Sequence, residues 1–238
     1  MLEDYSVENI LFFDIETVPQ NQNFESLDSE TQILWDKKST FIRKEEQSAA
    51  DIYERAGIYA EFGKVICISA GYIVKNGNER IFRVKSFYSE DEAIILKGFG
   101  NALNTFCNSA YKNICGHNIK EFDVPYIARR MLINRLPLPA VLNIAGKKPW
   151  EVKVLDTMEL WKFGDYKHYT SLALLTHILG IPSPKDDIDG SMVAQVYYQE
   201  KNIERIVTYC EKDVLATAQL ILRFKGEELI KDDCIVRV

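Results

Sequence analysis

The chain has 238 residues, of which 47% are hydrophobic and 27% are charged, a composition typical of a globular protein with one sizeable core. Its formal net charge of −6 and its pI near 5.3 exclude a global basic field that attracts nucleic acid or anionic membrane. A polyanionic substrate is still compatible with this charge, because bound divalent metal reverses the sign of the field locally.

Cysteine use and the first residues indicate the compartment. The N-terminal residues are acidic and lack the basic and apolar regions of a signal peptide, and the longest apolar stretch, near Val65 to Val74, is about half a membrane span. The five cysteines are odd in number and contain no C-x-x-C pair; they are Cys67, Cys107, Cys115, Cys210 and Cys234. This pattern favours free thiols in a reducing compartment. We therefore expect a cytoplasmic protein that does not bind membranes.

The first predicted element is a buried strand that ends in two acids. Ile10 to Phe13 are apolar, β-prone and uninterrupted, and Asp14 and Glu16 follow without a turn residue between. Residues two apart on a strand point to the same side, so both carboxylates face one way. Like charges crowded at the end of a buried strand repel each other and resist desolvation. Their presence there calls for a chemical reason.

A polar segment follows, from Gln20 to about Ala60, and both of its halves favour helix. We predict a helical insertion here. Lys64 to Val74 and Glu79 to Tyr88 then indicate two strands, and the turn between them contains an Asn-Gly pair, which is a strong hairpin signal. The early part of the predicted sheet is therefore antiparallel.

Strands and helices alternate over the rest of the chain. A helix is predicted from Glu90 to Asn108, with Ser89 as its N-cap and Glu92 completing a capping box. The later predicted elements are a strand at Asn113–Cys115, a helix at Val124–Leu132, a strand at Val152–Asp156, a helix from Thr170 that ends before Gly180, and helices at Met192–Tyr198 and Ile203–Arg223. This order predicts an α/β fold in one domain over residues 1–238, with the insertion at about 20–60.

A second acidic position lies where a short apolar strand gives way to a polar loop. Asn118 is followed four residues later by Phe122 and then by Asp123. Asp123 also stands directly before Val124 and Pro125, so the alternative is a helix N-cap with proline in the first turn.

A third position lies on the last predicted helix. Tyr209 and Asp213 are four residues apart, hence on one face and one turn from each other. Their neighbours are apolar, so the pair sits at the margin of the buried stripe. The alternative is a contact on the helix surface.

Together the three positions resemble the motifs of one family. Asp14 with Glu16, Asn118-x-x-x-Phe122-Asp123 and Tyr209-x-x-x-Asp213 are similar to the three motifs of the DEDD 3′-5′ exonucleases, and the tyrosine marks the DEDDy branch. The sequence stretches FDIET, GHNIKEFD and YCEKD are most similar to the proofreading exonuclease domain of family B DNA polymerases. The chain has no room for a polymerase domain and resembles the stand-alone PolB-like predicted exonucleases. The resemblance covers about residues 8 to 223 and implies a ribonuclease H-like mixed five-stranded sheet flanked by helices.

The resemblance also implies roles for the acids. Phosphodiester hydrolysis needs an attacking hydroxide and relief of charge on the leaving oxygen, and two divalent metals supply both. Hard oxygen ligands suit Mg²⁺ or Mn²⁺. By the resemblance, Asp14 bridges both metals, Glu16 and Asp213 complete the first site, Asp123 holds the second through water, and Tyr209 orients the nucleophilic water.

The implied substrate is single-stranded nucleic acid with a free 3′ end, with DNA as the first expectation and 5′-mononucleotides as products. Thr17 and Asn118 are expected near the terminal nucleotide, and Phe122 is expected as a stacking wedge or as core. Replication or repair proteins are candidate partners. Two alternatives stay open: a catalytically idle nucleic-acid-binding module of the same fold, and an exoribonuclease acting on short RNA, since no reader of the 2′-hydroxyl is evident.

Two further features favour ordinary structural roles. The basic loop Gly146–Trp150 lacks the upstream glycine of a phosphate-binding loop. Contact with a nucleic-acid single strand is the alternative to an ordinary surface loop here. The aromatic run Trp161, Phe163, Tyr166 and Tyr169 favours core packing over base stacking.

Overall fold

The computed structural model describes residues 2–77, 79–148, 151–152, 154–165, 169–182 and 187–238, in which six strands form one mixed sheet. The strands are β1 Ile10–Pro19, β2 Gly63–Asn76, β3 Glu79–Tyr88, β4 Asn113–Gly116, β5 Val154–Asp156 and β6 Ile235–Arg237. Their order is β5-β4-β1-β2-β3-β6. The β1–β2 and β2–β3 pairs are antiparallel and the other three are parallel. The predicted antiparallel start is confirmed, whereas the predicted count of five strands is wrong because β6 was missed.

Helices cover both faces of this sheet. They are α1 Ser29–Ser39, α2 Glu92–Phe106, α3 Asp123–Ile133, α4 Thr157–Lys162, α5 Leu172–Ile178, α6 Val193–Gln195 and α7 Ile203–Lys225. A π turn, Val196–Glu200, follows α6 where a longer helix was predicted. Apolar side chains of α2 and α3 form one core with the sheet, and those of α7 form another on the opposite face. None of the helices in the described ranges is long and apolar enough to cross a membrane.

Strand β1 is central in the sheet, between β4 and β2, and both of its faces are buried because helices cover each side of the sheet. Leu11 and Phe13 belong to the core beneath α2 and α3, while Ile10 and Phe12 belong to the core beneath α7. Side chains alternate along a strand, so Asp14 continues the α7 side. The strand is thus the element that presents acids toward the last helix.

The segment predicted as a helical insertion contains less helix than expected. Its first half forms α1, and Trp35 of that helix is fully buried and donates a hydrogen bond to the Ala49 carbonyl, 2.9 Å away. The second half forms turns and a 3₁₀ turn at Tyr53–Ile58 instead of the predicted helix. Side chains there bond to the backbone, as Asp51 does to the Ser48 N–H at 2.8 Å, and such bonds compete with a helix.

The predicted capping box of α2 is wrong. The helix begins at Glu92, and Asp91, not Ser89, caps it by accepting from the Ala93 N–H at 2.9 Å. Glu92 is buried instead, where it accepts from the Val65 N–H at 2.7 Å and pairs with Arg130 of α3. Glu92 therefore pairs with a residue distant in sequence, whereas the local sequence pattern predicted that it caps the helix.

Candidate active site

The end of β1 carries the first two predicted site residues. Asp14 is partly exposed and Glu16 is 7% exposed, and both point toward the sheet face that α7 covers. The register between β1 and β2 shifts directly after Glu16. Such bulges bend a strand and re-aim its side chains, and they are common beside active sites. The two carboxylates therefore lie where β1 departs from regular pairing.

Asp123 reaches the same point from the start of α3. Phe122 occupies the N-cap position, and Asp123 is the first helical residue and is 3% exposed. Its Oδ1 accepts a hydrogen bond from the backbone N–H of Ile15 at 3.2 Å. The pairing of β1 with β4 ends at Phe12, and beyond it the carboxylate serves as acceptor in place of a strand. The alternative of a simple N-cap is therefore wrong.

Tyr209 and Asp213 approach from α7. They are 7% and 8% exposed, so the alternative of a contact on the helix surface is wrong. The two side chains lie on the same face of α7, one helical turn apart, and Asp213 acts on the titration of Tyr209. Burial, and then the charges of Asp213, Glu16 and Asp14, raise the pKa of Tyr209 well above its ordinary value. The phenol therefore stays protonated in the folded protein.

The carboxylates oppose one another's ionisation. Burial, followed by the charges of Asp123, Glu16 and Asp213, raises the pKa of Asp14 well above its usual range. Burial and the charges of Asp156 and Asp213 raise the pKa of Asp123 to about 7, although backbone hydrogen bonds act in the opposite direction. A cluster that repels its own charge in this way is stabilised by a bound cation.

Cys210 belongs to this cluster, and the sequence did not indicate it. Its Sγ lies 3.4 Å from the backbone oxygen of Asp14 and 3.7 Å from Asp14 Oδ2. One ligand atom each from Asp14, Glu16 and Cys210 lie within 4.8 Å of one another. Burial raises the pKa of the thiol well above its ordinary value, so the thiol donates toward Asp14. The available signal was its place beside Tyr209 on a buried helix stripe.

Asp156, at the end of β5, is a second residue that sequence reasoning missed. It is 2% exposed. Its Oδ1 accepts from the backbone N–H of Asn118 at 3.0 Å and of Met158 at 3.0 Å, and its Oδ2 from that of Lys120 at 3.1 Å. One carboxylate thus caps α4 and fixes the loop that leads into α3. An acid directly after a predicted strand was the signal for it.

Asn118 presents an unsatisfied polar atom in this loop. Its φ of +59° is in the left-handed region, which asparagine tolerates better than most residues. Its Oδ1 is buried and has no hydrogen-bond partner among the described residues. Buried polar atoms are rarely left without a partner, so this one suits contact with a ligand or water.

Thr17 and Phe122, the other predicted substrate contacts, line a cavity of about 400 Å³ that Glu16 also lines. The Phe122 ring lies 5.4 Å from the Tyr126 ring and packs against the core below α2 and α3. Phe122 is therefore partly core and partly cavity wall. The structure places both residues beside the carboxylates.

The aromatic run divides into buried and exposed members. Trp161 stacks on Phe224 with centroids 6.3 Å apart, as predicted for core. Phe163 and Tyr169 are 77% and 63% exposed, so the core prediction is wrong for them. The Tyr169 ring packs edge-on against His117. Three of the residues discussed above lie outside the described ranges: Pro149, Trp150 and Tyr166.

Fold and site together define an α/β protein with an acidic centre at the middle of a mixed sheet. A family model described as a predicted 3′-5′ exonuclease related to the exonuclease domain of PolB matches residues 58–230, and the chain belongs to this family. The matched range contains Asp123, Tyr209 and Asp213, whereas Asp14 and Glu16 precede it. No curated protein sequence matches the chain.

Among solved structures, the chain is similar to the family B DNA polymerase from the hyperthermophilic archaeon Pyrobaculum calidifontis, with a TM-score of 0.54 and 16% sequence identity. The likeness covers 90% of this chain and 24% of the polymerase, so the chain spans about a quarter of that protein. At this identity the likeness concerns the fold. The predicted α/β, ribonuclease H-like class with flanking helices is confirmed.

Proposed function

We propose that the chain is a metal-dependent 3′-5′ exonuclease that hydrolyses phosphodiester bonds from the 3′ ends of single-stranded nucleic acid, with DNA as the first substrate, and releases 5′-mononucleotides. One observation carries the proposal. Asp14, Glu16, Asp123 and Asp213, from three separate elements, lie with Tyr209 around the bulged end of β1, where burial and the charges of the other three acids raise the pKa of Asp14.

The donor set fits magnesium or manganese. Carboxylate oxygens are the ligands that hard divalent cations prefer, and several of them must converge to hold two ions. Asp14, Glu16 and Asp213 would hold the first ion, and Asp123 would hold the second. When bound, such ions activate water and stabilise the charge on the leaving oxygen. Cys210, as a protonated thiol, is better placed to orient Asp14 than to bind a hard ion.

The proposed role of Tyr209 follows from its protonation. A phenol whose pKa is raised by burial and by neighbouring carboxylates does not act as a base near neutral pH. It is suited to hold the attacking water by a hydrogen bond from its place one helical turn from Asp213. Tyr209 is thus proposed as a group that positions water at the reacting phosphate.

Two alternatives, an idle binding module and an exoribonuclease, explain the site less well. A catalytically idle binding module has no need of crowded buried acids, which destabilise the fold. An exoribonuclease needs the same acidic centre, and among the described residues no contact for the 2′-hydroxyl of RNA is evident. DNA preference, replication or repair partners and a cytoplasmic location remain predictions.

The test is degradation of 5′-end-labelled DNA and RNA oligonucleotides with manganese present and absent, with Asp14→Ala as the inactive control. A ladder that shortens one nucleotide at a time, only with metal and only in the wild type, supports the proposal. Immediate release of labelled mononucleotide indicates attack from the 5′ end, and internal cuts in circular DNA indicate an endonuclease. Either result contradicts the proposal, and the DNA and RNA arms identify the substrate class.

A further inference from the structure

The 400 Å³ cavity beside Glu16 and Thr17 has a wall that no motif predicts. Glu54, Arg55 and Ile58 line it, and these residues come from the 3₁₀ turn at the end of the 20–60 segment. Phe122 lines the same cavity. A cavity of this size is within the range of small-ligand pockets. It is continuous with the acidic centre through Glu16.

This wall is fixed in place by bonds to the rest of the molecule. The Tyr126 hydroxyl of α3 donates to the Gly57 carbonyl at 2.8 Å, and Arg130 donates to the Ala60 carbonyl at 2.9 Å. Gly57 also lies so close to β1 that an added Cβ would come within 3.0 Å of the backbone carbonyl carbon of Val18. The turn therefore holds its outer residues against the site before any ligand arrives.

The cavity wall offers both apolar and cationic groups. Ile58 is 49% exposed, although it is a large apolar residue, and it lines the same space as Phe122. Arg55 is exposed, and its guanidinium makes no hydrogen bond or ion pair with any residue that the structure describes. In a chain of net charge −6, an uncommitted arginine beside a cluster of carboxylates is positioned for an anion that enters the site from outside.

We propose that the 3₁₀ turn of the 20–60 segment is a substrate-binding wall, in which Ile58 packs against the base of the 3′-terminal nucleotide and Arg55 binds a phosphate oxygen. The inference rests on the proposed exonuclease function and gives the 20–60 segment a role in binding the substrate. Base contact with apolar and aromatic side chains is tolerant of sequence, and an arginine–phosphate contact depends on salt. The segment therefore contributes affinity for an unpaired 3′ end of any sequence.

The test measures binding and turnover separately. A 5′-fluorescein-labelled single-stranded DNA oligonucleotide is titrated with Asp14→Ala protein, alone and combined with Arg55→Gln, Ile58→Ala or the matched control Arg83→Gln, which removes an exposed arginine of β3 that does not line the cavity. Arg55→Gln is expected to weaken binding about tenfold and to reduce the slope of log K against log salt by about 0.7, the value of one phosphate contact on a single strand. Ile58→Ala weakens binding about threefold without changing the slope. Arg83→Gln leaves both the affinity and the slope unchanged.

In the otherwise wild-type enzyme, Arg55→Gln is expected to raise KM with little change in kcat. Melting curves of each variant confirm that the exposed side chains do not affect folding. Binding and slope unchanged in Arg55→Gln, with normal 3′-5′ degradation by the wild type, overturn the inference and leave the proposed function standing. Failure of the wild type to degrade any 3′ end with manganese instead overturns the function, and the inference with it.

Discussion

Tyr209 and Asp213 lie one helical turn apart on α7, yet their substitutions are expected to have different effects. Asp213→Ala removes a metal ligand and is expected to abolish nearly all activity. Tyr209→Phe keeps the packing and the carboxylates and removes only the hydroxyl that positions water. We expect kcat to fall about 10- to 1,000-fold, the range for one acid–base or positioning contact. Single-turnover degradation of a labelled oligonucleotide measures both.

The control is metal binding, which Tyr209→Phe should leave intact and Asp213→Ala should weaken. Complete loss of activity in Tyr209→Phe with metal still bound would mean that the phenol does more than position water. No loss at all would mean that Tyr209 is structural.

Asp123 makes the metal-free protein sensitive to pH. Its pKa is about 7 in the folded chain against an ordinary value of 3.8, so the folded state binds more protons than the unfolded state between these values. Folding free energy from this group is therefore fully present below about pH 4 and is lost as pH rises through about 7. With metal chelated, Asp123→Asn should lose less stability than the wild type between pH 4 and 7 in urea unfolding. Parallel curves for the two proteins would contradict the placement of Asp123.

Among single residues, the sequence indicated those that belong to a family motif and missed those whose contacts form only in the folded chain. Asp14, Glu16 and Asp123 are marked by a strand or loop pattern that the family shares. Cys210 and Asp156 bond to backbone atoms of distant segments, at 3.4 Å and 3.0 Å, and only the folded chain reveals those partners.

Among the elements, α2 and α3 are joined by a buried ion pair that also holds the end of the 20–60 segment. Arg130 and Glu92 have side chains 5% and 9% exposed, and Arg130 bonds to the Ala60 carbonyl as well. Arg130→Met leaves the buried Glu92 carboxylate without its cationic partner, and we expect a loss of about 3–5 kcal/mol in the free energy of unfolding. Chemical denaturation measures it.

The matched control is Arg43→Met, because the Arg43–Asp36 pair is solvent-exposed on the Asp36 side and is expected to contribute less than about 1 kcal/mol. A double variant, Glu92→Gln with Arg130→Met, should recover part of the loss. Equal small effects in Arg130→Met and Arg43→Met would show that the buried pair does not hold these elements together.

Elements with strong local patterns were predictable and those held by distant partners were not. The hairpin of β2 and β3 followed from alternation and an Asn-Gly turn. The three-residue strand β6 exists only because it pairs with β3, as Phe82 does with Ile235. The second half of the 20–60 segment has helical composition, but side-chain bonds and contact with β1 favour turns.

For the whole molecule, the main expectation is that metal stabilises the fold. Millimolar Mn²⁺ or Mg²⁺ should raise the melting temperature, because a ligand that binds only the native state stabilises it by mass action. The doubly substituted Asp14→Ala, Asp213→Ala protein should respond less. Without metal it should melt higher than the wild type, since repulsion among the buried carboxylates is relieved. Differential scanning fluorimetry with EDTA and with metal measures both effects. An equal metal-induced rise of the melting temperature in the two proteins would contradict a metal site at Asp14 and Asp213.

The net negative charge of the chain and the small cavity lead to an expectation about the form of the proposed substrate. With net charge −6, we expect few phosphates beyond the terminal one to be neutralised by Lys or Arg, so the salt dependence of binding should correspond to about two or three contacts. A cavity of about 400 Å³ accommodates one unpaired nucleotide more readily than a base pair. Melting a terminal pair costs a stacking free energy of about 1.4 kcal/mol per step. One 5′-labelled oligonucleotide, presented as a single strand, a mismatched end and a blunt duplex, should therefore be degraded in that order of rate. Equal degradation rates on all three substrates, or a steep salt dependence of binding, would mean that the enzyme binds the duplex well beyond the terminal nucleotide.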